Sequence, residues 1–386
     1  MNFLLNNILF RKISNYALTE KIKKSPPLVS ILIPARNEEF NIKRCIKSLL
    51  KQDYTNIEIL VLDDGSTDDT PFIVKELEKK DSRVKLFTGK PLKEGWLGKS
   101  YACWQLSKHA KGEYLVFTDA DTLHFKNSIS NLIGTLTRNK LDVLSAIPRQ
   151  IMVSLHERMV ITWVHFGIMV LLPLVLVKKL KHPLFSTANG QCMLFKSEVY
   201  KKIGGHKSIK TKILEDIHIS KQVKRCGFKI MIFDASRSIH CRMYRNFSHL
   251  IKGFSKFMFA AFDYHVLTIT VVISIITALF LLPFIFLLIG ILLFNWSYAT
   301  INLLIIQIFM ILIMRIIMTI RLRGRVADTF LHPLSMIYII LICINSVFQA
   351  KFGEGVSWKD RRYDVSQRNC LNLMGSDEHR RNIIKH

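Results

Sequence analysis

Three apolar runs toward the C-terminus, Val266 to Phe294, Tyr298 to Ile320 and Leu331 to Ala350, constrain this chain more than any other feature. Each is long enough to cross a bilayer. In hydrocarbon the backbone must satisfy its own hydrogen bonds, so such runs have to be helices. Arg315, near the end of the second run, has a stem long enough to snorkel. Roughly the first two thirds of the sequence instead mixes charged and apolar residues, as a water-facing domain does. With 386 residues the chain exceeds the usual length of one domain.

The net charge of +26 suits nucleic acid, an anionic membrane surface or a nucleotide diphosphate. There is no zinc-finger spacing, no RNA-binding aromatic signature and no basic helix with heptads, so no nucleic-acid partner is expected. The seven cysteines are odd in number and scattered, with no C-x-x-C, and read as reduced structural thiols of a cytosolic compartment. Met1 to Phe10 starts apolar, but Asn6 and Asn7 interrupt it and Arg11 and Lys12 follow. It is not read as a signal peptide. Residues 1–18, within an N-terminal segment 1–27, read as an amphipathic helix that touches a membrane.

Charges around the apolar runs conflict. Residues 295–297 carry no Lys or Arg and read as external, whereas Arg321, Arg323 and Arg325 make the next loop internal. The basic tail 351–386 holds eight Lys and Arg and also reads as internal. Three crossings cannot satisfy all of this with the preceding domain internal, so either one segment lies in the interface or the tail breaks the positive-inside rule.

Between residues 28 and 265, strands alternate with helices. Leu28 to Ile33 is a short apolar strand closed by Pro34, and Asn37 can cap a helix over 38–52. Strands follow at Ile57 to Leu62, Val84 to Phe87, Tyr114 to Phe117 and Val143 to Ile147. Helices are expected after Thr70-Pro71, over 100–110, and through Ile129, Leu132, Ile133 and Leu136. This alternation implies an α/β fold with a Rossmann-like, mostly parallel sheet and helices on both faces. Ligands of such sheets bind beyond the carboxyl ends of the strands, where the polar motifs fall. Val160 to Val177 is apolar but contains His165 and Pro173, and reads as an interfacial or re-entrant segment (160–177) or as a buried core helix.

Asp119-Ala-Asp121 closes a strand, so its two carboxylates can aim at one hard cation, although alone the pair also fits a solvated turn. Asp63-Asp64-Gly65-Ser66 ends another strand, where a carboxylate can accept from a uracil N–H or a ribose hydroxyl, or simply suit the turn. Pro34, Ala35, Arg36 and Glu38 sit at the neighbouring strand end. Glu38 can equally favour a helix N-terminus. Lys99 lies in a Gly-rich turn before a helix, which suits a phosphate or a solvated lysine. Asp216 in Glu215-Asp216 is a candidate general base for an acceptor hydroxyl, or half of an acidic pair opening a helix. Asn189-Gly190-Gln191 and Gly204-Gly205-His206 fit either a substrate rim or structural turns.

In their order and spacing, Val29-Ser-Ile-Leu-Ile-Pro-Ala-Arg-Asn-Glu-Glu39, Glu58-Ile-Leu-Val-Leu-Asp-Asp-Gly-Ser-Thr-Asp-Asp-Thr70, Asp119-Ala-Asp121 and Glu215-Asp216 resemble the inverting, GT-A-fold glycosyltransferase family 2. The resemblance covers residues 28 to about 260. Gly95-Trp96-Leu97-Gly98-Lys99 followed by Ala102-Cys103 resembles a narrower branch. That branch holds the membrane-bound diaponeurosporenoate glycosyltransferases of carotenoid synthesis, the hopene-associated glycosyltransferases and, more distantly, ceramide glucosyltransferases. Val356-Ser-Trp358-Lys-Asp-Arg361-Arg-Tyr363 is similar to its basic-aromatic tail. Arg242-x-x-Arg245 resembles a (Q/R)xxRW motif, with Asn246 in place of the tryptophan.

The resemblance implies a nucleotide base near Pro34, Ala35 and Glu38, a uridine contact at Asp63 and Asp64, and an anionic donor edge at Lys99. It also implies Mg²⁺ or Mn²⁺ with the diphosphate at Asp121 and Asp119, and a base at Asp216. The expected protein is a multi-pass enzyme of the cell membrane whose catalytic domain faces the cytoplasm. It would move a hexose, glucose above others, from a UDP-sugar donor to a lipid acceptor such as an apocarotenoid or polyisoprenoid-derived lipid. A processive polysaccharide synthase and a non-catalytic membrane scaffold with a degenerate transferase fold are the rivals. The absent tryptophan opposes the first, and the intact carboxylates oppose the second.

Overall fold

The computed structural model describes residues 1–244, 246–294 and 296–352, with backbone alone at 356–358 and 361–363. Arg245 and the tail beyond 363 lie outside the described residues, as do the roles expected there. The chain divides into two compact units. The first comprises Met1–Leu155, Val164–Met243 and Ile317–Val326. The second comprises His156–Trp163, Tyr244–Ile316 and the residues from Ala327 on.

In the first unit short apolar runs become strands: β1 (Val29–Ala35), β2 (Ile57–Asp63), β3 (Val84–Thr88), β4 (Tyr114–Thr118), β5 (Thr122–His124), β6 (Val143–Ile147), β7 (Arg149–Gln150), β8 (Cys192–Lys196), β9 (Ile230–Asp234) and β10 (Ile239–Cys241). A seven-stranded sheet has the order β3-β2-β1-β4-β8-β6-β9, and β5, β10 and β7 form a smaller one. In the large sheet β8 alone runs antiparallel to its neighbours. The other pairings are parallel. This is the Rossmann-like, mostly parallel sheet expected. Its strands other than the edge strand β3 are buried along nearly their whole length, as strands covered on both faces must be. The apolar pattern of 192–195 marks a strand but not its direction, which depends on the long excursion between β7 and β8.

The unit's helices are α1 (Asn2–Leu9), α2 (Glu20–Lys24), α3 (Ile42–Leu50), α4 (Thr70–Lys80), α5 (Gly98–His109), α6 (Ser128–Arg138), α7 (Leu155–Leu171), α8 (Leu174–Lys179), α9 (Ser197–Lys202) and α10 (Glu215–Arg225). α7 also passes through the second unit. Leu32, Leu60, Leu115 and Phe117 of the sheet pack with Ala102 and Leu106 of α5 and Ile219 and Val223 of α10 in one core. That packing fixes α5 and α10 beside the strand ends where the polar motifs lie.

Local chemistry moves several expected boundaries. Pro34 does not close β1; it pairs in register with Leu62, and Ala35 pairs with Asp63. Asn37 is not a helix cap. Its φ is +52°, and its Oδ1 accepts from Thr67 N at 2.9 Å. The helix starts only at Ile42, because residues 36–39 are engaged by the loop after β2. Arg36 Nη1 donates to Asp64 O (2.6 Å) and Gly65 O (2.8 Å). Asn37 N donates to Ser66 Oγ, Glu38 N to Thr70 Oγ1, and Glu39 N to Asp68 Oδ2. Two loops that are far apart in sequence therefore form one rigid rim. At the rim Gly65 has φ +72°, and a Cβ there would stand 3.3 Å from Arg36 Nη1.

The N-terminal helix is shorter than expected. It ends at Leu9 because Arg11 O then accepts from Asp234 N (2.9 Å) and Lys12 bridges Asp234 at the end of β9. Farther on, Thr135 Oγ1 donates to Ile13 O and Arg138 Nε donates to Ala17 O (2.8 Å), holding the segment against α6. The 160–177 stretch is α7 and α8 separated at Leu172-Pro173, where proline removes a donor.

In the second unit the helices are α11 (Phe247–Ala260), α12 (Val266–Phe280), α13 (Leu282–Leu292), α14 (Tyr298–Arg321) and α15 (His332–Phe352). α14 also extends into the first unit. Tyr298–Arg321 and Val326–Phe352 are each long and apolar enough to cross a membrane. The Val266–Phe294 run is not one straight helix: α12 and α13 meet at 46°. Pro283 lies in the first turn of α13, where its missing N–H is tolerated. Arg315 does not snorkel. It is 2% exposed and donates to Thr162 Oγ1 at 3.0 Å. Arg158 Nε reaches Asp328 at 3.2 Å, and Asn345 Nδ2 donates to Ser255 Oγ at 2.8 Å, so these polar groups find partners inside the unit.

A Cβ on Gly134 of α6 would stand 2.5 Å from Tyr16 O and 2.8 Å from Ala17 C. Backbone cannot yield as a side chain does. Gly134→Ala is therefore expected to destabilise the first unit by about 1–3 kcal/mol. Thermal unfolding in detergent checks this, and an unchanged midpoint would show that the N-terminal segment is not held as described.

Candidate active site

The register of the sheet brings the carboxyl ends of β1, β2 and β4 to one edge. β4 ends at Thr118, and Asp119-Ala120-Asp121 turns the chain into β5. This turn is pinned from below. Asp119 N and Thr118 Oγ1 both donate to Gln191 O, at 3.2 and 3.0 Å, just before β8. Thr122 Oγ1 donates to Asp119 O at 2.7 Å.

Lys99 lies in the first turn of α5 rather than before it, and its ammonium bridges two carboxylates. Nζ is 2.7 Å from Asp119 Oδ1 and 2.8 Å from Glu215 Oε1. Burial opposes its charge, but Asp119 and Glu215 outweigh that and hold its pKa well above the ordinary lysine value. Desolvation still lifts the Asp119 carboxyl above its usual range despite Lys99, with Glu215 and Glu38 adding to the rise.

Asp216 follows Glu215 in the first turn of α10. Its Oδ2 accepts from Gly190 N at 2.9 Å and its Oδ1 from Ile217 N at 2.8 Å. Desolvation, then the neighbouring Glu215, raise its pKa to about 7, although both N–H groups and Lys99 work the other way. The approach at Gly190 is close: a Cβ there would lie 3.2 Å from Glu215 Oε1 and 3.3 Å from Asp216 Cβ, so either side chain would have to shift slightly to admit it. Asp121 is raised to about 7 as well, by desolvation and then by Asp119 and Glu38. Its Oδ1 is buried with no hydrogen-bond partner.

These residues enclose a cleft of about 320 Å³, open solvent included, lined by Pro34, Lys99, Thr118, Asp119, Gly190, His206, Glu215 and Asp216 among others. Of the residues expected from sequence, Pro34, Lys99, Asp119 and Asp216 line it directly. Ala35, Glu38, Asp63 and Asp64 belong to the adjoining rim, and Asp121 sits beside the cleft. Asp63 serves the turn, accepting from Ser66 N at 3.3 Å. Its partner Asp64 is 3% exposed and donates through its backbone N to Ala35 O. His206 faces the cleft but is bonded to Tyr200 Oη at 2.7 Å, and burial lowers its pKa to about 3, so it is neutral. A Cβ on Gly205 would strike the Tyr200 ring at 2.4 Å, which accounts for the Gly204-Gly205 turn structurally. Arg242 directly follows β10.

Sequence reasoning missed the part played by Glu215. It stood beside Asp216 as a helix-opening acid, whereas it completes the Lys99 bridge. An acid preceding a candidate base, with an unpaired lysine elsewhere, was the signal that could have found it.

The donor set can be tested against a divalent cation. Among the described residues no group of three His, Cys, Asp or Glu side chains is arranged to hold one. Asp119 and Asp121 offer two hard oxygen donors one residue apart, and Asp121 Oδ1 lacks a partner. That fits a cation whose remaining ligands come from a diphosphate and water.

Residues 30–204 match the family model Glycosyl transferase family 2. The 4,4'-diaponeurosporenoate glycosyltransferase of Staphylococcus haemolyticus is 29% identical over 238 residues, 59% of this chain and 60% of that protein. The UDP-Glc:alpha-D-GlcNAc-diphosphoundecaprenol beta-1,3-glucosyltransferase WfgD of Escherichia coli is 38% identical over 117 residues, 30% of this chain and 44% of that protein. The chain thus spans less than two thirds of the length of these relatives. Among solved structures, mannosyltransferase PcManGT from Pyrobaculum calidifontis is similar in part, at 17% identity and a TM-score of 0.45, covering 86% of this chain and 95% of that one. The matched range contains all but the first residue of β1, the Asp63-Asp64 turn, Lys99 and Asp119-Ala-Asp121, and it stops before Glu215. Residues 30–204 of this chain are thus similar to glycosyltransferase family 2.

Proposed function

We propose that this chain is a membrane-bound inverting glycosyltransferase that moves a hexose, glucose above others, from a UDP-sugar to a lipid acceptor. The observation that carries the reading is the Asp119–Lys99–Glu215 bridge beside Asp216. It joins the metal-type turn after β4 to the base-type dipeptide opening α10 within one cleft. The relatives named above act, by their names, on a carotenoid acid and on a diphosphoundecaprenol-linked sugar. A carotenoid or polyisoprenoid-linked lipid is the acceptor class that follows, met at the membrane by the apolar helices. The catalytic unit faces the cytoplasm, where nucleotide sugars are made available.

The rim formed by the loops after β1 and β2 would take the uridine, with Asp64 and Asp63 toward the base and ribose. Asp119 and Asp121 would hold Mg²⁺ or Mn²⁺ together with the diphosphate. When bound, the cation neutralises charge on the departing nucleotide. Lys99, freed from one of its two carboxylates, would supply a positive edge to the donor. Asp216 would take the acceptor proton as the new C1–O bond forms and the bond to the diphosphate breaks. Opposite-face attack inverts the anomeric centre. With a carboxylate acceptor no proton needs removing, and Asp216 would orient the nucleophile.

Membranes carrying the chain, incubated with labelled UDP-sugars and extracted, should yield labelled lipid. Label in polymer alone would favour the processive synthase. Asp216→Asn is expected to lower transfer to a hydroxyl acceptor by roughly 10²–10⁴-fold while UDP binding persists. Wild-type turnover in that variant would remove the base assignment. The base works only when deprotonated, and its folded pKa is raised. Transfer should therefore fall as pH drops through about 7, and a profile flat down to pH 5 would contradict this role. Chelation with EDTA should abolish transfer and weaken UDP binding, with Mn²⁺ or Mg²⁺ restoring both. Binding and transfer indifferent to EDTA would exclude Asp121 as a ligand.

A further inference from the structure

α1 is built inside out for a water-soluble helix. Its polar Asn6 is fully buried, while Leu4 and Ile8 are 62% and 69% exposed and Leu5 is exposed beside them. Asn6 is fixed there by the break between α7 and α8. Its Nδ2 donates to Met169 O (2.8 Å) and Leu172 O (2.5 Å), and its Oδ1 accepts from Leu174 N (2.9 Å). Asn2 Nδ2 donates to Val170 O at 2.7 Å. The side chain thus satisfies the backbone groups that Pro173 strands, and in doing so it locks the leucines outward. Nothing in this bonding allows α1 to roll them inward.

Two further observations say what covers this face. At the far end of α8, Lys178, Lys179 and Lys181 are exposed, interleaved with exposed Leu180 and Leu184. The last residue of the apolar helix α14, Arg321, donates through Nη1 to Asn7 O at 2.6 Å and to Asn7 Oδ1. α1 is therefore fastened to the last residue of a helix long and apolar enough to cross a bilayer, and the end of such a span would meet the bilayer surface. Exposed apolar side chains interleaved with lysines match an interfacial segment on an anionic leaflet.

We propose that Leu4, Leu5 and Ile8 of α1, together with Leu180, Leu184 and the lysines around them, form a face that docks on the anionic lipid surface of the leaflet where α14 ends. The proposal rests on the reading of α14 as a membrane span. The face is additional to the spanning helices and belongs to the catalytic unit itself. It would hold the cleft at a set height above the leaflet from which a lipid acceptor arrives.

The full chain in nanodiscs of phosphatidylcholine and phosphatidylglycerol bearing a photoactivatable acyl chain tests this without any substrate. Adducts are expected on peptides from residues 1–9 and 178–185 as well as on Tyr298–Arg321. Yield at 178–185 should fall roughly fivefold or more when phosphatidylglycerol is omitted. The double variant Leu4→Gln, Ile8→Gln replaces exposed side chains, so it should fold and should lose the adducts on 1–9 alone. Adducts confined to Tyr298–Arg321 would overturn the docking face and leave the span intact. Absence of adducts from all three would overturn the span reading as well. Photocross-links between the 1–9 peptides of two copies, in place of lipid adducts, would overturn the proposal in favour of self-association.

Discussion

The arrangement of the catalytic unit turns on one cation. Lys99 stands between Asp119 and Glu215, with Asp216, Asp121 and Glu38 nearby, so one ammonium faces an excess of carboxylates. Partly desolvated carboxylates are costly unless paired, and one lysine cannot neutralise them all. The imbalance shows in the upward shifts of Asp119, Asp121 and Asp216 and in the bare Oδ1 of Asp121. A site designed only for stability would not be left so negative. The deficit suits a place that receives positive charge from outside, and Lys99 holds the acids together until it does. The same lysine pins the start of α5 and the start of α10 to the end of β4. Its two bridges are therefore also what shapes the cleft.

The rim next to it depends on a different economy of contacts. β1 and β2 are in register to their last residues, so the loops that follow leave side by side. Arg36, Asn37, Glu38 and Glu39 then spend backbone and side-chain groups on the 64–70 loop. Hydrogen-bonded loops of this kind lose little freedom when a ligand arrives, which is the condition for a preorganised site. Asp63 and Asp64 serve this scaffold through their backbone and, for Asp63, through its side chain.

Much of this was legible in the sequence because it is local. The strands at 57–62, 84–87, 114–117 and 143–147 lie where their apolar runs end, and the carboxylates fall at their carboxyl ends as a parallel sheet requires. What was illegible depended on distant partners. Pro34 continues β1 because β2 pairs with it to the end, and no pattern within 28–34 says so. Asn37 reads as a cap until the 64–70 loop takes up the residues around it. Arg315 reads as a snorkelling residue until Thr162, far away in the chain, supplies an oxygen. The reversal of β8 and the Glu215 bridge belong to the same class: each depends on which remote segment is placed alongside. Composition did mark the apolar runs, but not that Val266 to Phe294 would bend by 46° near Pro283.

A second lysine ties the segment after α7 to the helix that carries Asp216. Lys224, near the C-terminal end of α10, is 4% exposed, and its ammonium donates to Val177 O (2.7 Å), Leu180 O (2.8 Å) and Phe185 O. Three carbonyls use all three of its protons, and burial without a carboxylate lowers its pKa to about 8. At the other end of the same helix, Asp216 accepts from Gly190 N. The chain from Val177 to Gly190 is therefore strapped to both ends of α10, a helix of 11 residues and so about 16 Å long. At the Gly190 end a backbone N–H holds Asp216 Oδ2 at 2.9 Å and works, with that of Ile217, against the rise in its pKa that burial and Glu215 cause. Sequence spacing offers no hint of it, because Lys224 reads as one more solvated lysine in a chain with a large excess of them. Physically it ties the segment that carries the exposed Leu180 and Leu184 to the helix that opens with the carboxylate proposed as the base.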